Sequence, residues 1–461
     1  MEQRKENKLG TMPMGKLIAS VSLPLMVSML VQSLYNIVDG IYVAKISEDA
    51  LTATSLAFPA QMLMISVAVG TGVGLNSLLA RKLGEKRFDE ANATATNGLL
   101  LAGLNTIVFM LLGFFAVRPF ISAFTDNPEI IEMGVSYLSV CMVWCVGIFL
   151  SITGERLLQA TGNSIFSMTS QIVGAVTNII LDPILIFGKL GMPEMGIKGA
   201  AVATVIGQIF GAVVAIVLNK VKNKEIHFVF RGFRPSGAII LNIYKVGIPS
   251  IIMQSIGTIM MVGMNKILIL FSTTAVAVFG IYFKLQSFVF MPVFGLTQGL
   301  IPIVGYNYGA RRPDRLMHGY KLATVIAVII MAIGTAIFWI IPKQLLLMFD
   351  ASEEMLSIGV QALRIISLTF LPAAISIVAG NTLAGIGNGV VSMINSFLRQ
   401  LVILLPAAFL LASAFGLDFA WYAMCISEIV SLVFTMLMFK REYNKKIKPM
   451  EEETGLCSGV I

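Results

Sequence analysis

Twelve apolar runs of about 20 residues or more, separated by short polar connections, account for most of the chain. They fall at about 16–43, 51–79, 92–116, 131–154, 164–187, 197–218, 241–270, 275–305, 319–341, 355–380, 390–412 and 416–439. At 1.5 Å per residue, a helix of ~20 residues crosses the ~30 Å hydrocarbon layer of a bilayer. Several runs are longer, so tilted or bent helices are expected. Barrel strands would read instead as alternating segments of ~10 residues. Composition agrees: 57% of residues are hydrophobic and 13% charged, against ~25% charged in an average soluble chain. The sequence predicts an all-α integral membrane protein of twelve transmembrane helices, spans 1 to 12 in the order above.

Other classes find little support. The net charge of +8 is spread over short loops, so no nucleic-acid partner is expected. The four cysteines make no disulfide or zinc pattern. Cys141 and Cys145, one turn apart in an apolar run, are read as small packing residues. No Walker motif, Cys-His cluster or nucleotide fingerprint is visible, and "GTGVG" at 70–74 lies inside span 2, where glycines permit close helix packing. No catalytic constellation, cofactor or enzymatic activity is expected.

Lysine and arginine in the loops set the orientation. One face collects Arg4, Lys5, Lys8 and Lys16, then Arg81, Lys82, Lys86 and Arg87, and the central linker's Lys220, Lys222, Lys224, Arg231 and Arg234. Arg311, Arg312, Arg315 and Lys321, and the tail's Lys440, Arg441, Lys445, Lys446 and Lys448, share that face. The other holds only Lys45, Arg118, Lys189, Lys198 and Lys343. Both termini are therefore expected in the cytoplasm, with the chain in a bacterial inner membrane.

The halves repeat. Adding 225 to a residue number carries the first half onto the second without a gap from Pro24 to Met168: Pro24 meets Pro249, Gln61 meets Gln286, Gly70 and Gly74 meet Gly295 and Gly299, and Gly84 meets Gly309. "TGNS" at 161–164 meets "IGNG" at 386–389. Six spans per copy give both copies one topology, related by an axis along the membrane normal. The expected units are a first lobe (1–218), a linker (219–240), a second lobe (241–440) and a tail (441–461), with a central cavity between the lobes.

These residues carry a family resemblance. "SLPLMVSMLVQSLYNIVDGIYVA" in span 1, "GTGVGLNSLLARKLGEKRFDEA" at the end of span 2, "LLQATGNS", "NIILDPILIFG", "GIKGAAVAT", "KVGIPSIIMQS", "GLTQGLIPIVGYNYGARR" and "TLAGIGNG" are similar to the multidrug and toxic compound extrusion (MATE) transporters, of the DinF-like bacterial branch. The resemblance implies two six-helix lobes, a V-shaped cavity, and export of amphipathic, often cationic compounds against inward flow of Na+ or H+. It also implies a monomer whose partners are small molecules and the bilayer. The nearest rival is a flippase for lipids or lipid-linked headgroups, weakened by the scarcity of basic residues able to face a lumen. A receptor or scaffold is opposed by the repeat and the paired carboxylates.

Charges within the apolar spans are functional candidates by default. Span 1 carries Gln32, Tyr35, Asn36 and Asp39, with Gln32–Asn36 and Tyr35–Asp39 each four residues apart; span 5 carries Asn178 and Asp182, again four apart. Both aspartates fall late in outward-running spans, at similar depth. A shared proton or a hard cation would compensate them; the alternative is that they brace neighbouring helices. The resemblance makes Asp39, Asn178 and Asp182 a cation site able to hold Na+ or a proton, with Thr204 as a further hydroxyl ligand, and ties bending of span 1, hence Pro24, to cation state. Pro183 frees a backbone carbonyl one turn earlier. Gln32, Tyr35, Asn36, Gln61, Met62, Met253, Gln286 and Met291 are cavity candidates. Glu155 and Arg156 are read as a local ion pair or interfacial anchor, and Arg399 with Glu428 as a structural pair between adjacent helices. Lys284 and Arg364 have no assigned role. Span 7 lacks acids and span 10 shows Arg364, which places any coupling in the first lobe.

Overall fold

The computed structural model describes residues 6–229, 231–349 and 351–453; Arg4 and Lys5 lie outside them. Every regular element among these residues is helical. Ten helices are long and apolar enough to cross a membrane, and two bent pairs make twelve. Spans 1 to 3 are Met14–Ala44, Glu48–Gly84 and Phe88–Phe115. Span 4 joins Pro128–Val143 to Val146–Ala160, and spans 5 and 6 are Ser164–Ile186 and Ile197–Lys222. Spans 7 to 9 are Gly237–Ile269, Thr273–Gly309 and Pro313–Ile340. Span 10 joins Glu353–Ser367 to Phe370–Gly385, and spans 11 and 12 are Val390–Phe415 and Leu417–Glu453.

Spans 4 and 10 differ from the single runs the sequence suggests: each breaks midway, by 45° and 44°. In span 10 the break lies just before Pro372, which has no N–H to offer the Leu368 carbonyl, and neighbouring side chains bond the carbonyls that precede it. In span 10, Thr335 Oγ1 donates to Ser367 O at 3.0 Å, Trp339 Nε1 to Arg364 O at 3.1 Å, and Cys425 Sγ to Ile365 O at 3.4 Å. In hydrocarbon such carbonyls must be satisfied from within the protein. The segment read as a tail is helical as far as it is described: it continues span 12 to Glu453, and the Tyr443 hydroxyl donates to Glu451 at 2.8 Å.

The repeat reaches into backbone conformation. Lys86 (φ 59°) and Arg311 (φ 54°), 225 apart, both take the left-handed conformation that normally calls for glycine. They end spans 2 and 8, so that Arg87 N bonds Lys82 O and Arg312 N bonds Asn307 O, at 3.0 and 2.9 Å. This closes the last carbonyls of each helix, and the positive side chains suit its C-terminal dipole.

The lobes meet at the end that carries both termini. There span 2 crosses span 7, and span 8 crosses span 1. Hydrocarbon offers no hydrophobic drive for helix association, so close approach and polar contacts must supply it. The Ser22 hydroxyl donates to Leu296 O at 3.1 Å, and the Ser77 hydroxyl to Ala384 O at 2.7 Å and Gly385 O at 3.1 Å. A Cβ at Gly84 would collide with the Tyr306 carbonyl, and one at its repeat mate Gly309 with the Arg81 carbonyl. The linker rests on span 3 of the first lobe: His227 N, Val229 N and Ser236 N donate to Asn92 Oδ1, Thr96 Oγ1 and Asn97 Oδ1 at 2.7, 3.1 and 3.2 Å.

Gly84→Val should overpack this seam, a change that typically costs ~1–3 kcal/mol, and lower the unfolding temperature of the detergent-purified protein. Gly103→Val, where an added Cβ meets nothing within 4 Å, should leave that temperature near the parent's. Equal unfolding temperatures for the two variants would contradict a seam set by backbone approach.

Candidate functional site

Glycines decide which polar side chains meet in the first lobe. At Gly207, a Cβ would come within 2.7 Å of Gly174 O and 3.1 Å of Asn178 Cβ. Spans 5 and 6 therefore cross almost backbone to backbone, and Thr204 of span 6 reaches span 5. Asn178 and Asp182 stand one turn apart on span 5 and are 2% and 0% exposed. The Asn178 amide donates to Thr204 Oγ1 at 3.2 Å and to Asp182 Oδ1 at 3.4 Å. Span 1 packs on span 5. It brings Tyr35 beside Thr204 and sets Asp39 within electrostatic reach of Asp182. The sequence expectation that Asp39, Asn178, Asp182 and Thr204 converge matches this geometry.

The hydrogen-bond inventory of the cluster does not close. Asp39 Oδ1, Asn178 Oδ1 and Asp182 Oδ2 are buried with no partner among the described residues. Three unpaired acceptors include oxygens of two carboxylates. Leaving such groups bare in a dry environment costs several kcal/mol. A proton on a carboxyl, or a hard cation bound by carboxylate, amide and hydroxyl oxygens, would supply the missing positive charge. The chemistry of this donor set fits either.

A second shell lies beside it. Gln61 Nε2 of span 2 donates to the Tyr137 hydroxyl at 3.3 Å and to Cys141 Sγ at 3.4 Å. Tyr137 and Cys141, on span 4, lie within electrostatic reach of Asp39. Gln61, expected at the central cavity, thus directs its amide into the lobe. Tyr137 went unnoticed in the sequence and Cys141 was read as packing; their four-residue spacing opposite a polar Gln61 was the available signal. Gln32 accepts from Gln171 of span 5 at 3.2 Å, and Asn36 is exposed. Met62, Met253, Gln286 and Met291 are half-buried. Span 1 runs as one helix through Pro24, and span 5 through Pro183.

The second lobe does not repeat the site. The mates of Tyr35 and Asp39 are Met260 and Met264, and Met264 is 0% exposed. Arg399 and Glu428 form the expected interhelical pair at 2.8 Å, within a π-helical stretch, Leu398–Leu404. Lys284 and Arg364 are exposed, with Lys284 Nζ 5.8 Å from the Phe349 ring centre. Glu155 and Arg156 correct the sequence reading. Both are buried, and no ion pair joins them among the described residues. Glu155 accepts from the Ser151 hydroxyl at 3.1 Å, while Arg156 Nη1 donates to Gln159 at 2.8 Å and across the seam to Gln298 at 2.7 Å. A buried guanidinium with five donors is drawn to amide oxygens on both sides of the seam.

Known proteins share this arrangement. The sequence profile of the MatE family matches residues 24–184 and 249–410, one copy per lobe. Multidrug export protein MepA of Staphylococcus saprophyticus is 24% identical over 418 residues, covering 90% of this chain and 91% of that protein. MepA of Staphylococcus aureus strain MW2 is 25% identical over 438 residues, covering 92% and 93%. Among solved structures, a multidrug resistance MATE family transporter of the MOP superfamily in an outward-facing conformation superposes with a TM-score of 0.91 at 26% identity, covering 98% of this chain and 100% of that one. A MATE in the bent conformation superposes at 0.88 with 26% identity, covering 96% and 97%. With both lobes matched by one profile and the whole fold shared, the chain belongs to the MatE family of multidrug and toxic compound extrusion transporters.

Proposed function

We propose that this protein is a secondary active exporter of amphipathic, often cationic compounds, coupled to inward movement of H+ or Na+ by alternating access. The observation that carries this reading is the set of unpaired buried oxygens on Asp39, Asn178 and Asp182. A group of this kind is stable only when a positive charge is present, and so distinguishes a loaded from an empty state. The relatives described as multidrug exporters support the substrate class. In this reading both termini are cytoplasmic, the membrane is the bacterial inner membrane, and the protein works as a monomer.

Span 1 is the mechanical link. Its outer part carries Tyr35 and Asp39 to the cation site, while its inner part presses Ser22 and Met26 against span 8. Pro24 lies between these inner contacts and lacks the amide that would tie it to Ser20. It is the hinge in this proposal: loading the cation site changes the packing of the outer part of span 1, and flexure near Pro24 relays that change to the seam. Gln32, Tyr35, Asn36, Met62, Met253, Gln286 and Met291 contribute the polar and polarisable surface that drugs meet, with Gln61 acting from behind it through Tyr137 and Cys141. Drug and cation exchange because each favours a different state. A ligand shifts the equilibrium only by its differential affinity for the two.

Two measurements test the reading. In proteoliposomes loaded with a cationic dye, with Na+ and pH gradients imposed separately, the parent should export under one gradient and stop when it is collapsed. Asp39→Asn and Asp182→Asn should each lose at least 90% of gradient-driven efflux, roughly a tenfold effect, while folding normally. The double variant should be no worse than either single, because neighbours acting as one unit are not additive. Full efflux by both single variants would leave the aspartates as structural braces. For topology, a cysteine introduced in the linker at Lys224 should react with an impermeant maleimide only after the cells are opened. Reaction on intact cells would invert the assignment.

A further inference from the structure

The segment before span 1 is a strap across the seam. The short helix Lys8–Thr11 is capped by Asn7, whose Oδ1 accepts from Leu9 N at 2.9 Å. On one side it holds the first lobe, where Asn7 Nδ2 donates to Thr161 O at 3.1 Å. Thr161 opens the turn that ends span 4, and Gly162 there takes φ 82°. A Cβ at Gly162 would lie 2.9 Å from Lys8 Cε and 3.4 Å from the Leu9 side chain. On the other side the strap holds the second lobe through its own carbonyls. Leu9 O accepts from Asn307 Nδ2 at 3.1 Å and Arg315 Nη2 at 3.4 Å. Gly10 O accepts from Arg312 Nη1 at 2.8 Å, and Met12 O from Arg315 Nη2 at 2.7 Å. Arg312 also pairs with Glu6 at 2.7 Å.

Burial gives the contact its strength. Leu9 is 0% exposed, in the same apolar cluster as Leu157 and Ala160 of the first lobe and Ile303 and Tyr306 of the second. Gly10 leaves so little room that a Cβ would stand 2.7 Å from Tyr306. Burial pulls the Lys8 amine below its ordinary range, and its Nζ donates to Ser20 of span 1 at 3.2 Å. The linker before span 7 also lies near the seam, with its amides bonded to span 3 of the first lobe and Ile226 in the same buried cluster as Tyr306. What distinguishes the strap is that its chain runs directly into the helix that bears Asp39.

We infer that residues 6–12 form an inter-lobe lock: they bind both lobes only while the terminus-bearing end is closed, and must leave one lobe for that end to open. The inference rests on the alternating-access reading above. Thr161 and the cluster of Asn307, Arg312 and Arg315 belong to different lobes, so a separation that breaks the seam cannot keep both sets of bonds. The lock sets the balance between closed and open seams, and its continuity with span 1 lets cation state act on it.

Spin labels at Asp89→Cys and Asp314→Cys, exposed repeat mates at the starts of spans 3 and 9, report lobe separation at this end without requiring transport. In the parent the distance distribution should be dominated by one short population. Asn7→Ala combined with Leu9→Ala should raise the ratio of long to short distances several-fold, and Arg315→Ala, which alters the receiving lobe alone, should shift it the same way. An unchanged distribution in both folded variants would overturn the lock, even if their unfolding temperatures fall. Should Leu9→Ala fail to assemble, Asn7→Ala alone carries the same test. The dye-efflux assay judges the exporter reading separately: a lock can hold in a protein that fails it, and efflux can persist in one whose strap does not regulate the seam.

Discussion

The absence of water inside the bilayer governs this protein. Each backbone amide, carboxylate and guanidinium within the spans must find its partner in the protein, because the solvent offers none. The helices meet this demand for the backbone, and side chains meet it where span 10 breaks. Thr335, Trp339 and Cys425 do so at the bend of span 10. Arg156 does so by reaching Gln159 and Gln298 on two sides of the seam. Unpaired atoms remain elsewhere, at Asn76, Arg156, Arg399 and Glu428 among others, but at Asp39, Asn178 and Asp182 the unpaired atoms are all acceptors and include oxygens of two carboxylates. Unlike the Arg399–Glu428 pair, these two carboxylates have no cation of the protein bonded to them among the described residues.

The second lobe shows the contrast. It is the same fold built on the same repeat, down to the left-handed residues at Lys86 and Arg311. Yet methionines replace Tyr35 and Asp39, and its Arg399–Glu428 pair is internally neutral. A guanidinium fixed to the chain cannot be exchanged, whereas a proton or free cation can. The architecture is thus symmetric and the chemistry is not.

That interface is narrow and backbone-close. Glycines at its crossings bring main chain against main chain, and a few hydroxyl-to-carbonyl bonds hold it. Contacts of this kind are satisfied fully or broken, with little stable ground between, because a partly parted seam leaves polar groups unpaired. The strap lies across this seam and span 1 runs through it, so in the proposed mechanism the two connect the charge of the first lobe to the seam.

The number and nature of the spans, the repeat and the spacing of the polar residues along spans 1 and 5 were all legible in the sequence. Hydrocarbon thickness and helical pitch are one-dimensional constraints, and a chain must write them into its order of residues. The Arg399–Glu428 pair was legible too, since adjacent antiparallel spans leave few partners for a buried charge. Contacts between segments far apart in sequence were not. The bend of span 10 is marked by Pro372, which leaves Leu368 O without its helical donor, but the side chains that bond the carbonyls before it come from other helices, and nothing at Trp144 announces the bend of span 4. Arg156 reads as half of a local pair until folding brings Gln298, 142 residues away, within reach. Tyr137 and Cys141 join the site only because span 4 packs against span 2. The strap at residues 6–12 looks like an ordinary polar lead-in, and only the meeting of two lobes gives its carbonyls and Leu9 a place to bind. Periodicity determines which residues share a face; which faces meet is settled by three-dimensional packing, where a glycine on one helix admits the backbone of another.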